Sequence, residues 1–341
     1  MADPALCAAV VKANGYGLGA VPVARALAAG GCRMFFVATL DEGIGLRQAI
    51  GEGSEIAVLN GPFARTAAEF LAHGLIPVLN HPGQIEEWTG QGTGHPAILH
   101  VDTGMARLGL TAREFAALID NPPPPIPWRA VISHLACADD PGHPLNESQR
   151  ARFTAAAARL PGIAASLSAS SGIFLGPAYR FDLVRAGAAL YGVNPVPGRP
   201  NPLRQIVRLT AKILQIREID SGESVGYGAA HVMAGPGLVA TVAVGYADGW
   251  LRSLSRRGCG YVGGVRVPLL GRVSMDLATF DVSAVDPAQA RPGATVELLG
   301  PHYGVDDAAA DAGTIGYEIL TALGARHHRV YHEPATTNPP E

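Results

Sequence analysis

Cysteine is scarce. Four residues, Cys7, Cys32, Cys137 and Cys259, are spread through 341 with no CxxC pair among them. That scatter argues against a thiolate zinc site and against a disulfide framework, and it suits a reducing cytoplasm. Charge is also thin: 16% of residues are Asp, Glu, Lys or Arg, and the signs interleave to a net −3. Such a balance carries no footprint for nucleic acid or for a membrane surface. Long apolar runs are missing too. The N-terminal one, Ala5 to Val11, follows Asp3 rather than basic residues and is too short to span a bilayer. It does not read as an export signal, and no internal repeat is evident. What is abundant is apolar residue (48%) and glycine (42 residues), enough for a large core in two domains or a barrel with an appendage.

The first two-thirds alternates short apolar runs with amphipathic stretches. Strands are expected at Leu6–Val11, Met34–Val37, Glu55–Leu59, Ile76–Leu79, Ala97–Val101, Ala130–Ser133, Ala164–Ala169 and Leu183–Arg185. Helices are expected between them, among others at Val21–Ala29, Arg65–Ala72, Thr111–Ile119 and Ser148–Leu160. Several strands are continuously hydrophobic, as parallel strands covered on both faces are. Eight strand–helix units imply a (β/α)8 TIM-type barrel, with its chemistry at the C-terminal ends of the strands. The Pro/Gly-rich passage Pro195–Pro202 then marks a boundary. Beyond it, Val207–Ile219, Leu238–Val244, Tyr261–Leu270, Ala278–Val282 and Thr295–Leu299 show strand spacing without long helices, hence a C-terminal all-β domain. The expected domains are residues 1–203 and 204–333, with 334–341 as a flexible tail.

At the end of the first strand stands Lys12, followed by Ala13-Asn14-Gly15-Tyr16-Gly17. A lone strand-end lysine is ordinarily a solvated charge. Here the apolar strand would desolvate the amine and lower its pKa, and the neutral form is what makes a Schiff base with an aldehyde. The neighbouring glycine-rich turn could meet an anion with bare amides. A carbonyl cofactor bearing a phosphate, pyridoxal phosphate above all, needs both features.

If the barrel is real, other useful groups should fall at the same strand ends. Asp102-Thr103-Gly104-Met105-Ala106-Arg107 follows the fifth strand, and Ser133-His134 ends the sixth. Ser168-Ala169-Ser170-Ser171-Gly172 ends the seventh, and Arg185-Ala186-Gly187-Ala188 the eighth. Hydroxyls and glycine amides suit a phosphate monoester. Arg185 follows an apolar strand, and a guanidinium there cannot act as an acid near neutrality. Against a pyridine nitrogen it would leave that nitrogen unprotonated and the ring a weaker electron sink, favouring prompt proton return to the α-carbon. In the second domain, Tyr227 lies between Gly226 and Gly228, Tyr246 follows Gly245, and Gly271–Asp276 and Thr314–Glu318 complete the set of outliers. A tyrosine near a buried cation can serve as a general base.

Across essentially the whole chain these blocks resemble the alanine racemases, fold-type III pyridoxal phosphate enzymes. The resemblance rests on Val10–Gly17, Val101–Gly109, Arg185–Gly192, Gly245–Gly249 and Gly271–Asp276, in that order. It implies that Lys12 is the Schiff-base lysine and the base for D-alanine, and that Tyr227 of the partner subunit is the base for L-alanine. It implies Arg185 at the pyridine nitrogen with His134 bonded to Arg185. Tyr16, Ser171, Gly187, Ala188 and Tyr317 would hold the phosphate, Gly187 and Ala188 through backbone amides. Arg107 and the amide of Met275 would receive the substrate carboxylate. Tyr246 would narrow an entrance rimmed by Asp139, Arg252, Arg272 and Ile315. A head-to-tail homodimer with shared active sites is implied, supplying D-alanine for peptidoglycan.

Two departures stand out. His100 occupies a position where many members of the family carry a lysine, often carbamylated, that holds the carboxylate-binding arginine. Arg107 therefore needs another partner, a bound anion or a different hydrogen bond. Only eleven residues precede Lys12, against about twenty-five in the family, so either the start codon lies upstream or an apolar flank is exposed. Rival readings are a racemase for serine or a broader range of amino acids, a decarboxylase on a related barrel, and a non-enzymatic pyridoxal phosphate carrier. The second domain argues against the carrier, and the Gly226-Tyr227-Gly228 and Ser274-Met275-Asp276 blocks do not support the decarboxylase.

Overall fold

The computed structural model describes residues 2–92 and 94–332; the expected tail at 334–341 lies outside them. Two compact units emerge: the chain up to Val207 together with Gly304–Asp306, and Arg208–Tyr303 with the chain from Asp307 onward.

The first unit holds eight strands: β1 (Leu6–Val10), β2 (Met34–Val37), β3 (Glu55–Val58), β4 (Ile76–Leu79), β5 (Ala97–His100), β6 (Trp128–Ile132), β7 (Ala165–Ser166) and β8 (Leu183–Ala186). They run in sequence order from β1 to β7, with β8 pairing back onto β1. Every pair is parallel. A further parallel bridge, Ala169 to Arg185, joins the β7 end to β8 and closes the ring. Expected and observed strands agree to within a residue or two except at β7, which ends early at Ser166. There the Ser168 carbonyl accepts from the Arg185 amide.

Alternation along the strands splits the core in two. Ala9, Phe35, Val37, Ile56, Val58, Leu79, Leu99 and Val131 pack outward under the helices. Ala8, Val10, Phe36, Ala57, Val78, Ile98, Ala130, Ile132 and Leu183 form a separate cluster filling the barrel. Helices cover the outer layer at Ala20–Ala29, Leu40–Ile50, Ala67–Ala72, Pro82–Gln91, Ala112–Asp120 and Pro144–Ala158. Thr39 and Thr111 start two of them with complete capping boxes, closed by Glu42 and Glu114. Two starts differ from expectation. Arg65 sits at φ +69° and stays outside its helix, while Pro144 opens the other four residues before Ser148, at a position where proline's missing N–H costs nothing.

The second unit is a six-stranded closed barrel. Its strands are β9 (Leu209–Ile219), β12 (Gly237–Val242), β13 (Cys259–Val262), β14 (Val265–Leu270), β15 (Ala278–Asp281) and β16 (Thr295–Leu299). A small hairpin of β10 (Ser224–Val225) and β11 (His231–Val232) stands apart. The stretch Tyr261–Leu270, expected as one strand, is a hairpin. Gly263 and Gly264 both take positive φ at its two-residue turn. The all-β expectation is also incomplete, since short helices at Val305–Ala312 and Gly316–Ala322 follow β16. No helix among the described residues is long and apolar enough to cross a membrane.

Candidate active site

Side chains two apart on a strand share a face. Val10, Val78, Ile98, Ile132 and Leu183 all belong to the inner cluster. The residues two beyond them are Lys12, Asn80, His100, His134 and Arg185. The strand period thus gathers these five polar groups at the C-terminal rim of the barrel, where such barrels do their chemistry.

Lys12 is half-buried, and burial lowers its pKa, with the Arg107 charge adding to the effect and Glu42 opposing it. The chain behind it makes a left-handed turn: Ala13, Asn14, Gly15 and Tyr16 all lie between φ +52° and +62°. For residues with a Cβ this conformation costs roughly 1–2 kcal/mol each, so other contacts must hold it. Glu42 does so, its carboxylate accepting from the amides of Ala13 (2.6 Å) and Ala38 (2.8 Å). The Asn14 side-chain oxygen accepts from Ala20 N at 3.0 Å. Lys12 and Tyr16 are therefore mounted on one rigid turn.

Arg185 is buried, and burial alone draws its pKa down to about 10, so it stays charged near neutrality. Its guanidinium donates to the Ser166 hydroxyl (2.6 Å) and to the carbonyls of Ser166 (2.8 Å), Ser133 (2.5 Å) and Leu167 (3.5 Å). The bond expected from His134 is not among these; carbonyls of the flanking strands orient the arginine instead. Burial, then the charges of Arg185 and Arg107, depress His134 to about 3. His100 is held near 4 by burial and Arg185, against the pull of Asp102. Both imidazoles are therefore neutral, and the rim's lasting positive charges are Arg107 and Arg185.

Gly187 fits beneath Tyr16. A Cβ at Gly187 would lie 2.4 Å from the Tyr16 hydroxyl oxygen. The Tyr16 ring stacks on Tyr191 with centroids 4.6 Å apart, and the Tyr191 hydroxyl donates to the Val10 carbonyl at 3.1 Å. Ser171 lies in the short helix Ser170–Ile173, and Ala188 opens a 3-10 turn. The Gly187 amide donates to Ser170 Oγ at 2.9 Å, as does the Ala189 amide at 3.1 Å. Ser170, which the sequence reading did not single out, thus ties these two segments together.

Arg107 is exposed on a loop built around Asp102. The Asp102 carboxylate accepts from the amides of Gly104, Met105 and Ala106 at 2.8, 2.8 and 3.0 Å. Arg152 donates to the Thr103 carbonyl, and buried Gln149 joins Thr103 Oγ1 to the His134 carbonyl. Gln149 is a second residue that the sequence reading passed over. Asp139 is exposed on the segment after β6.

The second unit brings its own outliers together. Tyr246 N donates to the Ser274 carbonyl and Ala247 N to that of Met275, at 3.0 and 2.9 Å. A Cβ on Gly245 would meet the Met275 carbonyl oxygen at 2.2 Å, so glycine lets the two loops touch. Arg272 lies against Gly228, beside Tyr227. Tyr227 is 71% exposed, and Tyr246, Met275 and Ile315 are exposed with it. Arg252 and Arg272 are exposed, and Tyr317 is partly buried on the helix Gly316–Ala322.

Comparison with known proteins gives this arrangement a family. The sequence profile of the alanine racemase N-terminal domain matches residues 1–195, and that of the C-terminal domain matches residues 206–331. The chain belongs to the alanine racemase family. It is 54% identical to the alanine racemase of Rhodospirillum rubrum over 96% of this chain and 89% of that one. It is 52% identical to a catabolic alanine racemase of Mesorhizobium japonicum, over 95% and 86%. The alanine racemase of Bartonella henselae, solved with covalently bound pyridoxal phosphate, superposes with a TM-score of 0.91 at 42% identity, covering 97% of this chain and 94% of its own. A biosynthetic alanine racemase from Pseudomonas aeruginosa gives 0.89 at 36%, with the same coverage. Membership sets aside the carrier and decarboxylase readings.

Proposed function

We propose that the protein interconverts L- and D-alanine with pyridoxal phosphate, using Lys12 and Tyr227 of the partner subunit as two bases. The supporting observation is the barrel rim: a half-buried lysine of lowered pKa beside two arginines and two neutral histidines. The residues present fit the cofactor. Gly187 leaves room where a Cβ would collide with Tyr16, and Arg185 is buried with carbonyls and a hydroxyl as its partners, so its charge stays uncompensated. Tyr16, Ser171, Gly187, Ala188 and Tyr317 would hold its phosphate, and Arg185 would face its ring nitrogen. When bound, it acidifies the substrate's α-hydrogen.

The remaining work falls to the chain's own groups. Arg107, with the Met275 amide, receives the substrate carboxylate and turns the Cα–H bond toward a base. Lys12 Nζ takes the proton on one face, and the Tyr227 phenol takes or returns it on the other. Two bases are needed because one tends to return the proton to the side it came from. Exposure of Tyr227, Tyr246, Met275 and Ile315 supports a head-to-tail homodimer, in which a partner covers them and shares the site. Tyr246 would narrow the entrance, with Asp139, Arg252, Arg272 and Ile315 at its rim.

We assign the enzyme to the cytoplasm, supplying D-alanine for peptidoglycan. The test is a panel of amino acids, alanine and serine included, scored by chiral chromatography with added cofactor. Rescue of growth in a D-alanine auxotroph checks the physiological direction. Turnover of alanine well above serine is expected; equal turnover would move the assignment to a broad-range racemase.

A further inference from the structure

His100 on β5 and Asn80 just beyond β4 face each other at the barrel rim, with ring Nδ1 2.7 Å from Asn80 Oδ1. The orientation of Asn80 is fixed independently of the ring. Its Nδ2 donates to the carbonyls of Leu59 (3.0 Å) and Val78 (3.1 Å), and its backbone amide donates to Gln84 Oε1 (2.7 Å). Two carbonyl acceptors require the amide NH2 group on that side, so the atom facing the ring is the oxygen, which only accepts. The imidazole must therefore carry its proton on Nδ1, and its Nε2 is left as a bare lone pair.

That lone pair sits on the edge of the ring next to the Arg107 loop. The loop leaves β5 at His100 and returns to it, with Leu110 N donating to the His100 carbonyl at 2.8 Å. A Cβ on Gly109 would lie 2.9 Å from His100 Cδ2, the carbon bonded to Nε2. The ionic groups around the ring are Arg185 on β8 and Asp102 and Arg107 on the loop, with His134 on the β6 end. Burial and the two guanidiniums hold the ring neutral, at about 4, against Asp102. Asp102 already serves three loop amides.

We propose that His100 is a positioning residue whose Nε2 accepts a hydrogen bond from the Arg107 guanidinium and aims it at the substrate carboxylate. This rests on the reading of Arg107 as the carboxylate receiver. A neutral acceptor steers the arginine while leaving its full charge for the substrate, which a carboxylate partner would not do. Asn80 is the anchor that makes the ring an acceptor on that edge. Among the described residues the two side chains form no hydrogen bond, so this contact would form as a bound carboxylate draws Arg107 inward.

Two variants of the holoenzyme separate the ring's functions. Asparagine puts an amide nitrogen where Nδ1 stands, so His100→Asn keeps the donor to Asn80 and deletes the Nε2 acceptor. Glutamine puts its carbonyl where Nε2 stands, so His100→Gln keeps the acceptor. The probes are L-alanine turnover and calorimetric binding of propionate, which has alanine's carboxylate and methyl group but no amine. His100→Asn should raise KM for alanine and Kd for propionate by about tenfold with kcat changed by less than about threefold, while His100→Gln stays near wild type. Unchanged propionate affinity in His100→Asn, or equal loss in both variants with matching loss of thermal stability, overturns the proposal. Should neither variant fold, 15N-histidine labelling of the wild-type holoenzyme decides it: an unprotonated Nε2 supports the proposal and a protonated Nε2 refutes it. A wild-type protein that neither racemises alanine nor binds propionate would remove the proposed function itself, a failure distinct from this one.

Discussion

Replacing Gly187 by alanine adds one methyl group at the spot where Tyr16 meets the eighth strand. The backbone there has φ −121°, outside the left-handed region that favours glycine, and what the new methyl group meets is the Tyr16 phenol. The new Cβ would stand 2.4 Å from Tyr16 Oη, 3.1 Å from its Cζ and 3.5 Å from Val10 Cβ. Ordinary contact needs the phenol to retreat by roughly 1 Å, since carbon and oxygen rest near 3.5 Å. Little room exists for that, because Tyr16 stacks on buried Tyr191, itself hydrogen-bonded to Val10. Overpacking of this kind costs about 1–3 kcal/mol. Expressed as a displaced phosphate ligand, it corresponds to about ten- to hundredfold weaker cofactor affinity. The assay is titration of the apoenzyme with pyridoxal phosphate, followed by absorbance, with thermal melting in parallel. In a Tyr16→Phe background the closest contact is gone, and the same glycine substitution should cost markedly less. A Gly187→Ala protein that binds cofactor as tightly as wild type refutes the reasoning, as does an equal penalty in both backgrounds.

The remaining expectations concern the two proposed bases, the half-buried histidines and Tyr191. Tyr227→Phe should lose turnover in both directions, because the phenol that takes the proton from L-alanine must return it when D-alanine is the substrate, yet keep α-hydrogen exchange of D-alanine on the Lys12 face. Lys12→Ala should lose turnover, that exchange and the cofactor's absorbance band, and mild losses in both variants would count against two bases. His100 and His134 are held near 4 and 3, while in the unfolded chain histidine titrates near 6.5. The unfolded chain therefore takes up protons that the folded one refuses. This penalty is absent above about pH 6.5, grows as pH falls and saturates below about pH 3. Halved for partial solvent access, it amounts to on the order of 4 kcal/mol for the two rings. Urea titrations from pH 7 to 4 should show wild type losing more stability than a His134→Gln variant, and parallel curves would exclude the effect. Tyr191→Phe should cost about 1–3 kcal/mol by taking the hydroxyl donor from the buried Val10 carbonyl, measured by chemical denaturation; a neutral result would mean that the bond carries no weight.

Much of the barrel was legible because its strands are fully covered. A run such as Met34-Phe-Phe-Val37 has no polar alternation to blur its ends, and its limits were read as observed. The hairpin at Gly263–Gly264 was missed because strong β patterning on both sides reads as continuous until the glycine pair is taken as a turn. At the rim, Lys12, Arg107, His134 and Arg185 were visible from their places at strand ends. Asn80, Glu42, Ser170 and Gln149 were not, since an amide, acid or hydroxyl in sequence does not announce which backbone group it will meet. Asn80 alone could have been found, by stepping two residues beyond inward-facing Val78. The expected bond between His134 and Arg185 shows the opposite limit: β7 stands between their strands, and the carbonyls of Ser133, Ser166 and Leu167 take the guanidinium's donors.

The most direct test of the two-base account is racemisation of L-alanine by the holoenzyme in deuterium oxide. The two enantiomers are separated chirally at low conversion and their α-hydrogen is read by mass spectrometry. Bases on opposite faces predict D-alanine carrying deuterium while the remaining L-alanine keeps its protium. D-alanine formed with the original protium retained would contradict it, because one group would then have moved the same proton from face to face.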